Sequence, residues 1–247
     1  LYYTMRVVRG QSLDQRLATC PDLDARLELL GAFWDMCNAV AFAHSKGVIH
    51  RDLKPSNVMV GAFGETVVLD WGLAKLQGVE DTRGPEIATQ VELLQGVRAS
   101  KTLAGWAVGT PSYMSPEQAD GLIDHIDERS DVWGLGAVLY ELLTGHPPFE
   151  GNNPYHVVAQ VRTEAVAPVA SHCAHAPPEL VAVAERALQR DPAQRYQSAR
   201  ELAEDISAYM TGRRVQAYEY SSWELIRRFP ARNKAAVAAS TIVVAAV

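Results

Sequence analysis

A chain of 247 residues, 48% hydrophobic and 21% charged, has enough apolar surface for a sizeable core, which argues against a disordered chain, a collagen or a coiled coil. Its net charge of −6 argues against a generic nucleic-acid binder. Three cysteines (Cys20, Cys37, Cys173) with no C-x-x-C pair speak against a disulfide scaffold or zinc ribbon and fit a reducing compartment. The start, Leu1-Tyr2-Tyr3, shows no basic n-region or apolar core and no initiator Met, which fits a fragment without a signal peptide.

Residues 1–9 read as a short strand ending at Gly10. Asp22 opens a helix to Lys46, with Leu23, Leu27, Leu30, Trp34, Cys37, Ala41 and His44 stepping by three and four along one face. Gly47 is placed to end it in a left-handed conformation. The β-branched runs Val58–Val60 and Thr66–Leu69, with Gly61 and Gly64 between them, predict a hairpin. Residues 73–108 hold no sustained period and read as a long, mobile loop with a helical insert at 86–95. Val132–Leu143 is apolar nearly all round, the pattern of a buried central helix, and Pro147-Pro148 bars its continuation. Asn153 caps a short helix over 154–163. Pro177-Pro178 precedes another over 179–190. Ser198 and Glu201 resemble a capping box for a helix over 199–211. This makes a mostly helical domain with a little sheet over about 1–212.

The tail differs. Between 213 and 234 there are six basic residues and two acids; Ala235–Val247 then has only Ser240 and Thr241 polar. Thirteen residues are too few to span a bilayer, but the apolar run behind a basic flank reads as the start of a transmembrane helix. The bland alternative is an amphipathic or buried C-terminal helix. His172-Cys173 and His175 lack a second ligand pair at zinc-like spacing and read as a surface loop.

The chemistry concentrates in His50-Arg51-Asp52-Leu53-Lys54-Pro55-Ser56-Asn57. Asp52 can accept a proton or orient a hydroxyl. Lys54 can neutralise charge on a transferred phosphoryl group. Asn57 offers a neutral oxygen to a hard metal ion. Thirteen positions on, Asp70 in Asp70-Trp71-Gly72 offers a carboxylate, and strand–loop–strand geometry can bring Asn57 and Asp70 to one Mg²⁺.

H-R-D-L-K-P-S-N followed by D-W-G resembles the catalytic and metal-binding loops of eukaryotic-type (Hanks-type) serine/threonine protein kinases. Gly109–Glu117 resembles the substrate-docking segment that ends in A-P-E in that family. Ser130–Gly136 resembles the start of its buried central helix, and Thr144–Phe149 and Asp191–Tyr196 its later landmarks. The resemblance implies an α+β, protein-kinase-like fold: a mainly helical C-terminal lobe with a short β-hairpin over 1–211, from the hinge onward. A basic juxtamembrane segment (212–234) and the transmembrane start (235–247) follow. It implies ATP and Mg²⁺ as cofactors, Asp52 as catalytic base, Lys54 on the γ-phosphate, and Asn57 and Asp70 on the metal. Arg6 and Val8 would meet adenine and Met59 would pack beneath it. Asp131 would bind the backbone of the catalytic loop near His50, which reads as an anchor. Glu117 would pair with Arg195. Arg51 next to Asp52 implies an activation loop ordered by phosphorylation, with Thr102 the favoured site. Thr110 with Lys54 points to serine/threonine specificity. Implied partners are protein substrates, a second copy for trans-autophosphorylation and a membrane, but no nucleic acid. The kinase part would be cytoplasmic and membrane-anchored.

The Gly-rich strand–turn–strand, the V-A-I-K lysine and the helix glutamate of the family are not found in these residues, so the small N-terminal lobe reads as largely absent. Trp71 stands where the family has Phe, and Trp71 and Trp133 read as core aromatics. The 48 residues from Asp70 to Glu117 are long for the family. Two competing classes are a pseudokinase scaffold and a small-molecule phosphotransferase.

Overall fold

Residues 8–76 and 111–222 are described by the computed structural model. A two-residue strand, β1 (Gln11–Ser12), leads into helix α1 (Leu13–Thr19) through a capping box in which Ser12 N donates to Gln15 Oε1 at 3.2 Å. Of the strand expected at 1–9, residues 1–7 lie outside the described residues and Val8 is in no regular element; pairing occurs at 11–12, opposite Val60 and Met59.

The helix expected from Asp22 to Lys46 is two helices. Asp22 does cap α2 (Leu23–Leu27), its Oδ1 accepting from Ala25 N at 2.9 Å. After a break, α3 (Leu30–His44) starts afresh. Arg26, at the end of α2, donates from Nε and Nη2 to the Leu142 and Leu143 carbonyls at 3.0 and 3.2 Å. Those carbonyls end another helix and have no intrahelical partner, so a long-range cap accompanies the break. The inner face of α3 is Phe33, Met36, Cys37, Val40 and His44; Trp34 and Ala41 are only half-buried. Gly47 follows with φ 71°, as expected of a helix stop.

Two small antiparallel ladders come next. Strand β2 (Val48–Ile49) pairs with β5 (Lys75–Leu76), and β3 (Val58–Val60) with β4 (Thr66–Val68), in register Val58↔Val68 and Val60↔Thr66. β1 adds to the outer side of β3. The hairpin is as predicted, and Leu69 N also donates to Asn57 O at 2.7 Å. The loop before β3 and the turn after β4 therefore lie side by side.

The rest is helical. α4 (Pro116–Ala119) precedes α5 (Glu128–Thr144), capped by Asp127 and closed by Gly145. Pro147-Pro148 thus comes after the helix has already ended. From Ser130 to Thr144 every residue of α5 except Glu141 is buried. Burying each of its leucines and valines contributes roughly 1.5–3 kcal/mol. α6 (Pro154–Thr163), α7 (Val169–His172), α8 (Pro178–Ala187) and α9 (Ala199–Met210) surround it; α8 packs on α5, and α9 on α3 and α8. A Cβ on Gly136 would stand 2.7 Å from the Ala187 Cβ, so glycine permits the α5–α8 approach. Of the surface loop expected at 172–175, His172 and His175 are exposed, while the Cys173 side chain is buried. Among the described residues no cluster of three or more His, Cys, Asp or Glu could hold a metal. None of the described helices is long and apolar enough to cross a membrane; residues 235–247 lie outside the described residues. The expected α+β, mainly helical architecture is the one observed.

Candidate active site

The segment 50–57 is held by the core beneath it. Asp131, 2% exposed in α5, accepts from His50 N at 2.7 Å and from Arg51 N at 2.8 Å, and its Oδ2 is 2.8 Å from His44 Nε2. Gln118 Nε2 donates to Arg51 O at 2.7 Å. Both backbone groups of Arg51 are thus clamped. Its φ is 70°, in the left-handed region, and a non-glycine residue there costs about 1–3 kcal/mol unless its surroundings fix it. Hydrogen bonds to a charged acceptor, worth roughly 1.5–3 kcal/mol each, offset that strain. His50 is fully buried: Nδ1 accepts from Asp52 N at 3.2 Å, and Nε2 donates to Leu69 O at 2.9 Å. The ring therefore ties the loop to the far side of the hairpin.

With the backbone fixed, three side chains converge. Asp52 Oδ2 lies 2.8 Å from Lys54 Nζ and accepts from Asn57 Nδ2 at 3.0 Å. The same Nδ2 donates to Asp52 O at 2.8 Å. Both short contacts of the amide nitrogen go to oxygen, which orients the group and leaves Asn57 Oδ1 as the end able to meet a cation. Asp70 follows β4, exposed, with φ 58° and Oδ1 accepting from Gly72 N at 3.3 Å. The Leu69–Asn57 backbone bond holds Asn57 and Asp70 on neighbouring strand ends. One neutral oxygen and one carboxylate fit Mg²⁺, which takes few protein ligands when phosphate oxygens supply the others. Trp71 is not a core aromatic. It is 37% exposed, with its ring 4.5 Å from His50 and Nε1 donating to Val68 O at 3.2 Å.

A second constellation braces the segment 111–119. Glu117 receives Arg195 Nη1 and Nη2 at 2.8 and 2.9 Å and the Ser130 hydroxyl at 2.6 Å. Arg195, 1% exposed, also donates to the carbonyls of Gln189, Arg129 and Arg190 and lies over the Trp133 ring. Burial pushes the Glu117 carboxyl up, but Arg195 and Ser130 outweigh it and hold the group below its usual range.

Val8 is half-buried and Met59 sits half-buried in β3. Arg6, Thr102 and Thr110, like the helical insert expected at 86–95, lie outside the described residues. Sequence reasoning missed His44, Gln118 and Ser130. Only Gln118 left a readable trace, the Ser115-x-x-Gln118 capping box, in which Gln118 Oε1 accepts from Ser115 N at 3.1 Å.

Comparison with known proteins agrees with this geometry. Residues 1–206 match the profile of the protein kinase domain. The chain is 36% identical over 246 residues to serine/threonine-protein kinase PknD of Protochlamydia amoebophila, covering 94% of this chain and 24% of that protein. It is 39% identical over 208 residues to serine/threonine-protein kinase PknB of Mycolicibacterium smegmatis, covering 83% and 30%. With PknB of Mycobacterium tuberculosis it shares 40% over 184 residues, covering 74% and 26%. The chain thus spans less than a third of the length of these curated relatives. It belongs to the protein kinase family.

Proposed function

We propose that the full-length protein of this kinase-family chain transfers the γ-phosphate of ATP to serine or threonine hydroxyls of protein substrates, and that residues 1–211 supply the large catalytic lobe. The observation that carries this reading is the Asp52 carboxylate held between Lys54 and Asn57 on a loop clamped from the core. Asp52 aims the incoming hydroxyl and takes its proton as the oxygen–phosphorus bond forms. The bond from the γ-phosphorus to the bridging oxygen breaks, and ADP leaves with that electron pair. Lys54 follows the transferred group, exchanging its contact with Asp52 for one to phosphate. Mg²⁺ bound by Asn57 and Asp70 would spread the phosphate charge. The clamp on Arg51 keeps Asp52 in place between turnovers, which is where positioning lowers the barrier.

Arg6, Val8 and Met59 are assigned to the adenine, and Thr102 and Thr110 to the activation and docking segments. Glu117 with Arg195 braces the docking segment, and Arg51 receives the activating phosphate. Trans-phosphorylation within a homodimer is the activating step. Residues 212–234 flank the cytoplasmic face of a membrane, in which 235–247 begin an anchor. The serine/threonine-protein kinases PknD and PknB are the relatives that support the substrate class. The test is γ-phosphate transfer by the full-length protein with Mg²⁺ to a protein mixture. Transfer that collapses in Asp52→Asn is expected. Transfer undiminished by that change, or a folded wild type that binds nucleotide without turnover, overturns the reading, the latter in favour of a pseudokinase.

A further inference from the structure

Helices α3 and α9 and the connection 211–216 border an open cleft of about 610 Å³. Arg200, Arg213 and Arg214 line it, and all three are exposed. Phe42 lines it as well and is 67% exposed, with Lys46 Nζ 5.5 Å from its ring centre. None of these four cations makes an ion pair among the described residues. Arg213 donates to hydroxyls, Nε to Thr211 Oγ1 at 2.9 Å and Nη2 to Ser207 Oγ at 3.1 Å, which leaves its charge uncompensated. Arg214 lies over the Tyr220 ring at 5.6 Å, a contact that orders the side chain without neutralising it. Two carboxylates border the same cleft. Asp205 is 2% exposed; it accepts from the Tyr196 hydroxyl at 2.8 Å and from Gln216 N and Ala217 N at 2.7 and 3.0 Å, so its charge is spent inside the fold. Glu204 is the exposed acid of the cleft, against three arginines.

A single exposed phenylalanine is ordinary. One that shares a cleft with uncompensated cations suits a boundary that is anionic on its surface and apolar just beneath. A nucleic acid offers the phosphates but no apolar layer for Phe42. The order of the chain points the same way: directly after Gly212 come the six basic residues of 213–234, and then the apolar run Ala235–Val247. We propose that this cleft docks on an anionic lipid surface, with Arg200, Arg213 and Arg214 on lipid phosphates and Phe42 entering the boundary between headgroups and acyl chains. Lys46, beside Phe42, adds a fourth charge to the same contact. The inference rests on the proposed membrane anchoring and deepens it: the tail holds the lobe near the bilayer, and the cleft decides which face turns towards it. The attraction acts within about 8 Å at physiological salt, so the face must come close to the lipid to be held.

The test uses the full chain carrying Phe42→Trp, mixed with vesicles of phosphatidylcholine brominated on its acyl chains, with and without phosphatidylglycerol. The fluorescence added by the substitution, read as the difference from the parent chain, should be quenched in the vesicles that contain phosphatidylglycerol and not in the others. Adding Arg200→Gln, Arg213→Gln and Arg214→Gln should raise the lipid concentration at half-maximal quenching about 10²-fold, roughly fivefold per arginine. Absence of quenching, or quenching unchanged by the three substitutions, overturns the proposal. If the triple variant does not fold, quenching of the Phe42→Trp chain that survives about 1 M salt overturns it instead. A blue shift of the added emission that needs high protein concentration and no lipid makes a second copy the occupant, and also overturns it. Flotation with pure phosphatidylcholine vesicles reads the anchor separately. A chain that floats there but is not quenched with phosphatidylglycerol loses the docking face and keeps the anchor; a chain that is quenched but does not float loses the anchor and keeps the docking face.

Discussion

Two acid–base pairs within the same lobe have opposite surroundings. The Asp52 and Lys54 side chains are 16% and 18% exposed, so their contact is partly open to solvent. The Glu117 and Arg195 side chains are 7% and 0% exposed, and the Arg195 donors and the Glu117 acceptors are taken by protein. A buried pair is costly to break because the surviving charge has no water to turn to. A pair at the solvent edge is cheap to exchange, since water and incoming ligands compete for it. The same chemical contact therefore serves as a brace in one place and as a replaceable contact in the other.

The largest effect should come from breaking the brace. Arg195→Ala should cost about 3–5 kcal/mol, read from the urea midpoint. Adding Glu117→Leu should recover part of that loss; no recovery would mean that the carbonyl bonds, not the ion pair, carry the brace. At the open pair the outcome should invert. Asp52→Asn should lower phosphoryl transfer by the full-length protein about 10²–10⁴-fold while its unfolding free energy moves by no more than about 1 kcal/mol. A stability loss as large as that of Arg195→Ala would erase the distinction.

The clamp between the two regions should show both signatures. Asp131→Ala strands the His50 and Arg51 N–H groups, so roughly 1–3 kcal/mol of stability and most of the transfer rate should be lost together. Acid should act on the brace in a defined direction. The depressed Glu117 carboxyl stabilises the fold above the unfolded glutamate value of about 4.3, and that contribution is lost as pH falls through the lower folded value. Thermal melts between pH 5 and 2 should therefore fall less steeply in Glu117→Gln than in the parent. Smallest of all, Trp71→Phe removes one bond from a half-open ring and should cost about 1 kcal/mol or less.

Legibility followed the range of the determining contact. The helix Pro154–Thr163 was readable to the residue because Asn153 caps it and Pro154 opens it, both local signals. The capping box at Ser12 and Gln15 is equally local, but α1 is only 7 residues long and buries just Leu13 and Leu17, too little period to announce a helix. The break between α2 and α3 left no such trace: Leu23, Leu27 and Leu30 keep helical spacing across it, while Arg26 caps a helix more than a hundred residues away. Two-residue strands carry no period of their own, so β1, β2 and β5 went unread. Trp71 looked like core from its type, but exposure is set by neighbours: its ring meets His50, its indole nitrogen bonds Val68 O, and 37% of the residue stays exposed.

By itself the sequence determined which side chains could do chemistry and how far apart they stand along the chain. A carboxylate, an amine and an amide within six residues, with a second carboxylate thirteen positions later, are local facts of spacing and type. It also determined the helical stretches whose caps and apolar stripes are written within a few residues. Tertiary structure alone decided that Asp131 and Gln118 would grip Arg51 in a left-handed conformation, and that Arg195 would be dry while Lys54 stays wet. Those outcomes depend on desolvation and on partners tens of residues distant, which spacing along a chain does not encode.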